Sequence, residues 1–80
     1  MTPEEFGKTL KQLHFKKTTS VNGAKGYVTT ITRDNGQEFG ISCFAAPDMK
    51  AKKALDCAWD IMLNRLAQEY GYTGDLNRFR

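Results

Sequence analysis

Apolar residues near the start of the chain recur with the spacing of a helix. One stripe holds Phe6, Leu10 and Leu13. The residues before it are typical of a helix start: Thr2 can act as N-cap, Pro3 fits the first helical position, and Glu5 completes a capping box. The pattern therefore predicts a helix over about residues 3–14.

Three runs rich in β-branched and aromatic residues follow, and they predict three strands. The runs cover about residues 15–21, 26–33 and 38–45. Asn35-Gly36 separates the last two and is a strong hairpin signal, because a two-residue turn needs positive φ at both central positions. This turn would place Arg33 opposite Glu38.

The register of that hairpin decides which residues share a face. With a two-residue turn, one face holds Val28, Thr30, Thr32, Phe39, Ile41 and Cys43. The other face holds Tyr27, Thr29, Ile31, Ser42 and Phe44. We expect the first face to form the core and the second, which is amphipathic, to be a candidate contact surface. A three-residue turn would exchange the two faces.

A second and longer helix is predicted over about residues 48–70, with Asp48 as N-cap and Gly71 as the stop. Its wide apolar arc is formed by Leu55, Ala58, Trp59, Ile61, Met62 and Leu66. The tail over residues 71–80 has no clear period. Leu76 and Phe79 in this tail are expected either to fold back onto the core or to take part in a contact.

The order of elements predicts the fold class. A helix, three strands and a helix in a single domain over residues 1–80 fit an α+β fold. We expect a two-layer αβββα sandwich, in which two helices pack on one face of a three-stranded antiparallel sheet. A composition of 40% hydrophobic and 26% charged residues is typical of a folded chain and not of a disordered one.

The net charge of the chain is compatible with an anionic partner but is too small to require one. The net charge is +3, and residues 1–26 carry five lysines against Glu4 and Glu5. Residues 27–46 carry only Arg33 against Asp34 and Glu38. A mildly basic and uneven surface of this kind suits phosphate or an acidic protein.

Residues that commonly carry catalysis are sparse. His14, the single histidine, ends a helix, where a cation or a packed ring is the usual role. Cys43 and Cys57 are not spaced as a CxxC pair and are expected to be free thiols of a reducing compartment. No catalytic or metal-ligand motif occurs. We therefore expect no enzyme activity, no cofactor and no metal.

The hydropathy pattern and the cysteine usage bear on location. No apolar run approaches the roughly 20 residues that a membrane-spanning helix needs. We expect a cytoplasmic protein without a membrane partner, in the host cytoplasm if the chain is encoded by a virus.

Lysines at the start of the second helix are the least expected feature. Lys50, Lys52 and Lys53 lie where the partial positive charge of a helix N-terminus normally favours acids. One interpretation is that they are simply solvated. The other is that they act together with free backbone N–H groups to bind a phosphate or a carboxylate.

Together with the αβββα order, the segment KAKKALDCAW resembles the double-stranded RNA-binding domain, whose second helix opens with a pattern close to S-K-K-x-A-K followed by alanines. Ala54 matches the alanine of the pattern, and Lys52 matches one of its lysines. Lys50 and Lys53 lie beside the others, and Leu55 stands where a lysine is usual. In that family the loop between the first two strands carries a proline and a histidine. The corresponding loop here, NGAKG, offers Lys25 as its polar contact.

This resemblance implies a small binding module for duplex RNA or DNA. The implied phosphate contacts are Lys50, Lys52 and Lys53, helped by Lys25, Lys8 and Lys11. The same architecture is used by virus-encoded inhibitors such as some anti-CRISPR proteins, so a protein that handles nucleic acid is the alternative partner. That contact would use either the sheet face of Tyr27, Ile31 and Phe44 or the tail around Leu76 and Phe79. A homodimer formed through the same sheet face is a third alternative.

Overall fold

The computed structural model describes all residues, 1–80, and confirms the predicted αβββα order. The elements are α1 (Pro3–Gln12), β1 (Lys16–Thr19), β2 (Lys25–Thr32), β3 (Glu38–Phe44), α2 (Ala51–Tyr70) and a 3₁₀ turn (Asn77–Phe79). The strands form one antiparallel sheet in the order β1-β2-β3. Side chains of both helices join those of β2 and β3 in one core, on one face of the sheet.

The start of α1 is fixed by the predicted capping box. The Thr2 hydroxyl accepts a hydrogen bond from the Glu5 N–H at 3.2 Å, and the Glu5 carboxylate accepts one from the Thr2 N–H at 2.9 Å. The hydrogen bonds from the Thr2 backbone and hydroxyl lower the pKa of the Glu5 carboxyl. Phe6 is the only residue of α1 that is fully buried, so this side chain anchors the helix.

The turn between β2 and β3 has three residues, so the predicted two-residue turn is wrong. The Arg33 N–H donates to the Gln37 carbonyl at 2.8 Å, and the Gly36 N–H donates to the Arg33 carbonyl at 2.8 Å. Within this loop only Gly36 takes a positive φ, of 82°. Asn35 keeps an ordinary backbone, and its side chain accepts from the Gln37 N–H at 3.0 Å. This loop requires one left-handed residue instead of two, which lowers its conformational cost.

The longer turn exchanges the two faces of β2, as a three-residue turn should. Tyr27 pairs with Cys43 and Ile31 pairs with Phe39. The helix-covered face therefore holds Tyr27, Thr29, Ile31, Phe39, Ile41 and Cys43. The open face holds Val28, Thr30, Thr32, Ser42 and Phe44. The prediction that Tyr27 and Ile31 share a contact surface with Phe44 is wrong for this reason.

The start of α2 also differs from the prediction. The helix begins at Ala51, and Lys50 is its N-cap without any capping hydrogen bond from the side chain. Asp48 lies in a preceding turn, in which the Met49 N–H donates to the Ala46 carbonyl at 3.3 Å. Pro47 follows Ala46 and suits the second position of such a turn. Asp48 therefore belongs to this turn and is not the N-cap of α2. The helix ends as predicted at Gly71, whose φ is 71°.

The buried stripe of α2 is rotated slightly from the predicted arc. Its fully enclosed residues are Ala54, Ala58, Met62, Leu63, Leu66 and Ala67. Ile61, which the arc included, is 41% exposed. Leu63, which the predicted arc left out, is fully enclosed in its place.

The C-terminal tail folds back onto the core. The Tyr72 ring stacks on Phe6 with centroids 4.5 Å apart, and the Phe79 ring meets Phe6 edge-on at 5.2 Å. The indole N–H of Trp59 donates to the Phe79 carbonyl at 2.9 Å. Arg80 forms an ion pair with Asp60 at 2.5 Å. The tail is therefore a structural part of the domain.

Gly26 and Gly40 give a matched test of the sheet. A Cβ at Gly26 would lie 2.1 Å from the Cys43 carbonyl and 2.8 Å from the Phe44 ring, whereas one at Gly40 would meet nothing closer than 3.9 Å. We expect Gly26→Ala to lower the free energy of unfolding by about 1–3 kcal/mol. Gly40→Ala should leave it unchanged or raise it by up to about 1 kcal/mol. Urea unfolding of both variants measures this, and equal values would contradict the contact.

Phe79→Ala tests the docking of the tail. Phe79 is half-buried, so we expect a loss of about 2 kcal/mol, below the cost for a fully buried phenylalanine. Trp59, the single tryptophan, should become more exposed to water as the tail loosens, and its fluorescence should shift to longer wavelength. Arg78→Ala is the control, because Arg78 is an exposed neighbour whose guanidinium lies 5.6 Å from the centroid of the Phe79 ring. An unshifted emission in Phe79→Ala would contradict this role of the tail.

Candidate nucleic-acid interface

Small residues hold the start of α2 close to the sheet. Ala54 and Ala58 are buried against Ala45, which directly follows β3. Further along the helix, the contacts to the sheet use the larger Met62 and Leu66. Alanines allow a closer approach than methionine or leucine, so the lysine-bearing first turn is held close to the end of the sheet.

Backbone N–H groups at the start of α2 have no acceptor. The first N–H bonded along the helix is that of Ala54, which donates to the Lys50 carbonyl at 2.8 Å. The N–H groups of Ala51, Lys52 and Lys53 precede it and form no hydrogen bond, and the first turn carries no acidic residue. These groups give the helix start a partial positive charge that neither a capping side chain nor a first-turn acid compensates.

Lysines and arginines play different parts in this structure. Three arginines form ion pairs, Arg33 and Arg65 with Glu69 and Arg80 with Asp60. None of the eight lysines lies within ion-pair distance of an acid. The lysine charges are therefore available to an external anion, while three of the four arginines are already paired with acids of the same chain.

A cleft beside α2 adds two lysines to this region. Lys17, Lys25 and Leu55 line an open cleft of about 420 Å³, together with Thr18 and Thr19. Strand pairing sets Lys17 opposite Tyr27 and Thr19 opposite Lys25, on the helix side of the sheet. Leu55 lies one helical turn after Lys52. The cleft therefore connects the lysines of β1 and β2 to the start of α2.

Sequence reasoning predicted Lys25 but missed Lys17. The available signal was the alternation along β1, which places Lys17 on the same face as Phe15 and sends Lys16 to the opposite face. Phe15 packs edge-on against Trp59 with centroids 4.9 Å apart. Lys17 therefore follows a core residue on the side that α2 covers.

Two other predicted lysines lie elsewhere. Lys8 and Lys11 are exposed on α1. That helix is anchored by Phe6 against Tyr72, which follows the end of α2. Lys8 and Lys11 therefore lie on a different helix from Lys50, Lys52 and Lys53, and no contact brings the two groups together.

Most residues predicted for a protein contact are part of the core. Ile31 is 3% exposed, and Tyr27 packs edge-on against Trp59 with centroids 5.6 Å apart. Leu76 and Phe79 pack against the main core. Phe44 alone is exposed, at 37%, and it lies on the open face. Tyr27 and Ile31 therefore do not share a surface with Phe44, and the two tail residues pack within the fold.

The remaining titratable groups form no reactive cluster. Burial raises the pKa of the Cys43 thiol, although the nearby positive charge of Arg65 opposes the shift. Burial also raises the pKa of the Tyr70 phenol, and Glu69 raises it further. Both cysteines are free, and no group of three or more histidine, cysteine, aspartate or glutamate side chains is placed to hold a metal ion.

Neither helix combines the length and the apolar character that crossing a membrane requires. Comparison of the chain with protein-family models, with curated proteins and with solved structures finds no significant match.

The open helix start gives a stability prediction. The backbone of Lys50 is already extended, with φ of −63° and ψ of 147°, which suits an N-cap residue. In Lys50→Ser the hydroxyl can accept from the N–H of Lys52 or Lys53. We expect this variant to be about 1 kcal/mol more stable than Lys50→Ala, which loses the same charge without adding an acceptor. Urea unfolding measures the difference, and equal stabilities would show that the N–H groups are already satisfied.

Proposed function

We propose that the chain is a non-enzymatic module that binds duplex nucleic acid through its phosphates. The contacts are made by Lys50, Lys52 and Lys53 at the start of α2 and by Lys17 and Lys25 in the adjoining cleft. Lys8 and Lys11 on α1 act as outlying contacts to the same backbone.

The observation that carries this proposal is the combination of free N–H groups and unpaired lysines at one end of the molecule. A helix start with unbonded N–H groups is a favourable place for a phosphate, and lysine is a good partner for it as a mobile point charge. Both occur together here, beside a cleft with two further lysines. The resemblance to the double-stranded RNA-binding domain concerns the same segment of the chain and supports the same contacts.

The choice of residues favours binding to the backbone over reading of bases. Arginine and asparagine make the usual bidentate contacts to base edges, and neither occurs in the cleft or in the first turn of α2. Phosphate contacts position a protein without reading sequence. The longest dimension of the molecule is 35 Å, which corresponds to about ten base pairs at about 3.4 Å each. We infer sequence-independent binding over a short footprint.

Salt dependence is the first test. Binding to duplex RNA and duplex DNA can be followed by fluorescence anisotropy at several salt concentrations. The five lysines at the start of α2 and in the cleft predict that log K falls with log salt with a slope of about −4 to −5 on DNA, and full contact by Lys8 and Lys11 would steepen it to about −6. Scrambling the probe sequence should leave the affinity unchanged. A slope near zero, or no binding to either duplex at low salt, would overturn the proposal.

Neighbouring lysines on β1 provide the matched control for the same assay. Lys17 faces the cleft and Lys16 faces the open side of the sheet, so Lys17→Gln and Lys16→Gln make the same charge change on opposite faces. We expect Lys17→Gln to weaken binding and to reduce the salt slope by about 1. Lys16→Gln should change neither quantity by a comparable amount. Equal effects would mean that only net charge matters and that this site is not the one used.

A further inference from the structure

The two edges of the sheet are protected to different degrees. β1 is short and carries Lys16 and Lys17, and such charges discourage another strand from pairing with an edge. β3 is a seven-residue edge strand whose only charged residue is Glu38 at its first position. It contains no proline and no lysine. By the usual criteria β3 is therefore open to pairing.

The hydrogen bonds of β3 show which backbone groups point outward. The Arg33 N–H bonds to the Gln37 carbonyl and the Ala45 N–H bonds to the Lys25 carbonyl, so the odd-numbered residues of this segment face β2. In an antiparallel pair the residues alternate, so the even-numbered ones direct their N–H and C=O groups to the free edge. The outward set is Glu38, Gly40, Ser42 and Phe44.

This outward set is symmetric about Ile41. If β3 meets β3 of a second copy across a two-fold axis at Ile41, Gly40 faces Ser42 of the other copy and Glu38 faces Phe44. Each of these pairs can exchange two hydrogen bonds. The residues nearest the axis, Gly40 and Ser42, are small and leave room for close approach. We propose that β3 is the dimerisation edge of this chain and that its occupant is β3 of a second copy.

The space beside β3 fits an added strand. A groove of about 450 Å³ runs along the edge between β3 and α2, and Gly40, Ser42, Phe44, Ile61 and Arg65 are among the residues that line it. Phe44 and Ile61 are two of the four large apolar side chains that are exposed in the structure. A strand from a second copy would cover both side chains. This dimer would explain why they are exposed in the single chain.

Charge favours the β3 edge over the lysine-bearing β1 edge as a place for a second copy. Two identical chains of net charge +3 repel each other where their lysines meet. No lysine lies on β3 or on α2 after Lys53. Arg65 in the groove is already paired with Glu69 at 3.2 Å. Pairing through β3 places the two β1 strands, with their lysines, at the outer edges of one continuous sheet.

Proline substitutions at the two edges test the proposal. The full chain should sediment at about 18 kDa, twice its 9.0 kDa, toward the upper end of a range from about 10 µM to about 1 mM. Ser42→Pro removes an outward N–H of β3 and should give a folded species of single-chain mass. Thr19→Pro removes an outward N–H of β1 and should leave the dimer intact. A single-chain mass throughout the range, or a dimeric Ser42→Pro, would overturn the proposal.

A second pair of variants keeps the test decisive if proline unfolds the strand. Ile61→Lys adds a charge inside the groove, and Asn64→Lys adds the same charge on α2, at an exposed position that does not line this groove. Both positions are exposed, so circular dichroism should show the same fold for both. We expect Ile61→Lys to abolish the dimer and Asn64→Lys to retain it. A dimer in both variants would exclude this edge, whatever the outcome of the nucleic-acid assays.

Discussion

The contact between Phe6 and the C-terminal tail holds the two ends of the domain together. α1 has ten residues, and an isolated helix of that length is marginal in water. It gains its tertiary support by placing Phe6 between the Tyr72 ring and the Phe79 edge, in the same core as Ile31, Ile41, Met62 and Leu66. Offset and edge-on aromatic pairs add about 0.5–1.5 kcal/mol each to the burial itself. One side chain thus joins the first helix, the sheet and the last residues.

α2 connects this core to the proposed phosphate site through a gradient of side-chain size. Met62 and Leu66 fill the wide part of the space between helix and sheet, whereas Ala54 and Ala58 allow the helix start to lie close to Ala45. The lysines of the first turn are therefore positioned by residues that carry no charge. A packed helix on a sheet is stiffer than a loop, and this suits a binding surface that recognises the spacing of phosphates.

Features that depend on neighbouring residues could be predicted from the sequence, whereas features that depend on strand register could not. The capping box of Thr2 and Glu5 involves neighbouring residues only, and it formed as expected. The faces of β2 could not be predicted, because a one-residue difference in the turn at Gly36 inverts them while either turn satisfies the Asn-Gly pattern. Asp48 fits the N-cap pattern by sequence, but the turn at Pro47 includes it and the helix begins only after Lys50. The first-turn lysines were predictable from sequence, whereas Lys17 required the strand pairing.

The placement of Phe6 also has a consequence for the order in which the chain can fold. Its two aromatic partners lie 66 and 73 residues later in a chain of 80. Closing loops of this length is costly in entropy and is slow compared with hairpin formation. The two hairpins and α2 can associate first, because their contacts are nearer in sequence. α1 would then lack the aromatic part of its docking surface during synthesis until the ribosome has released the residues around position 79.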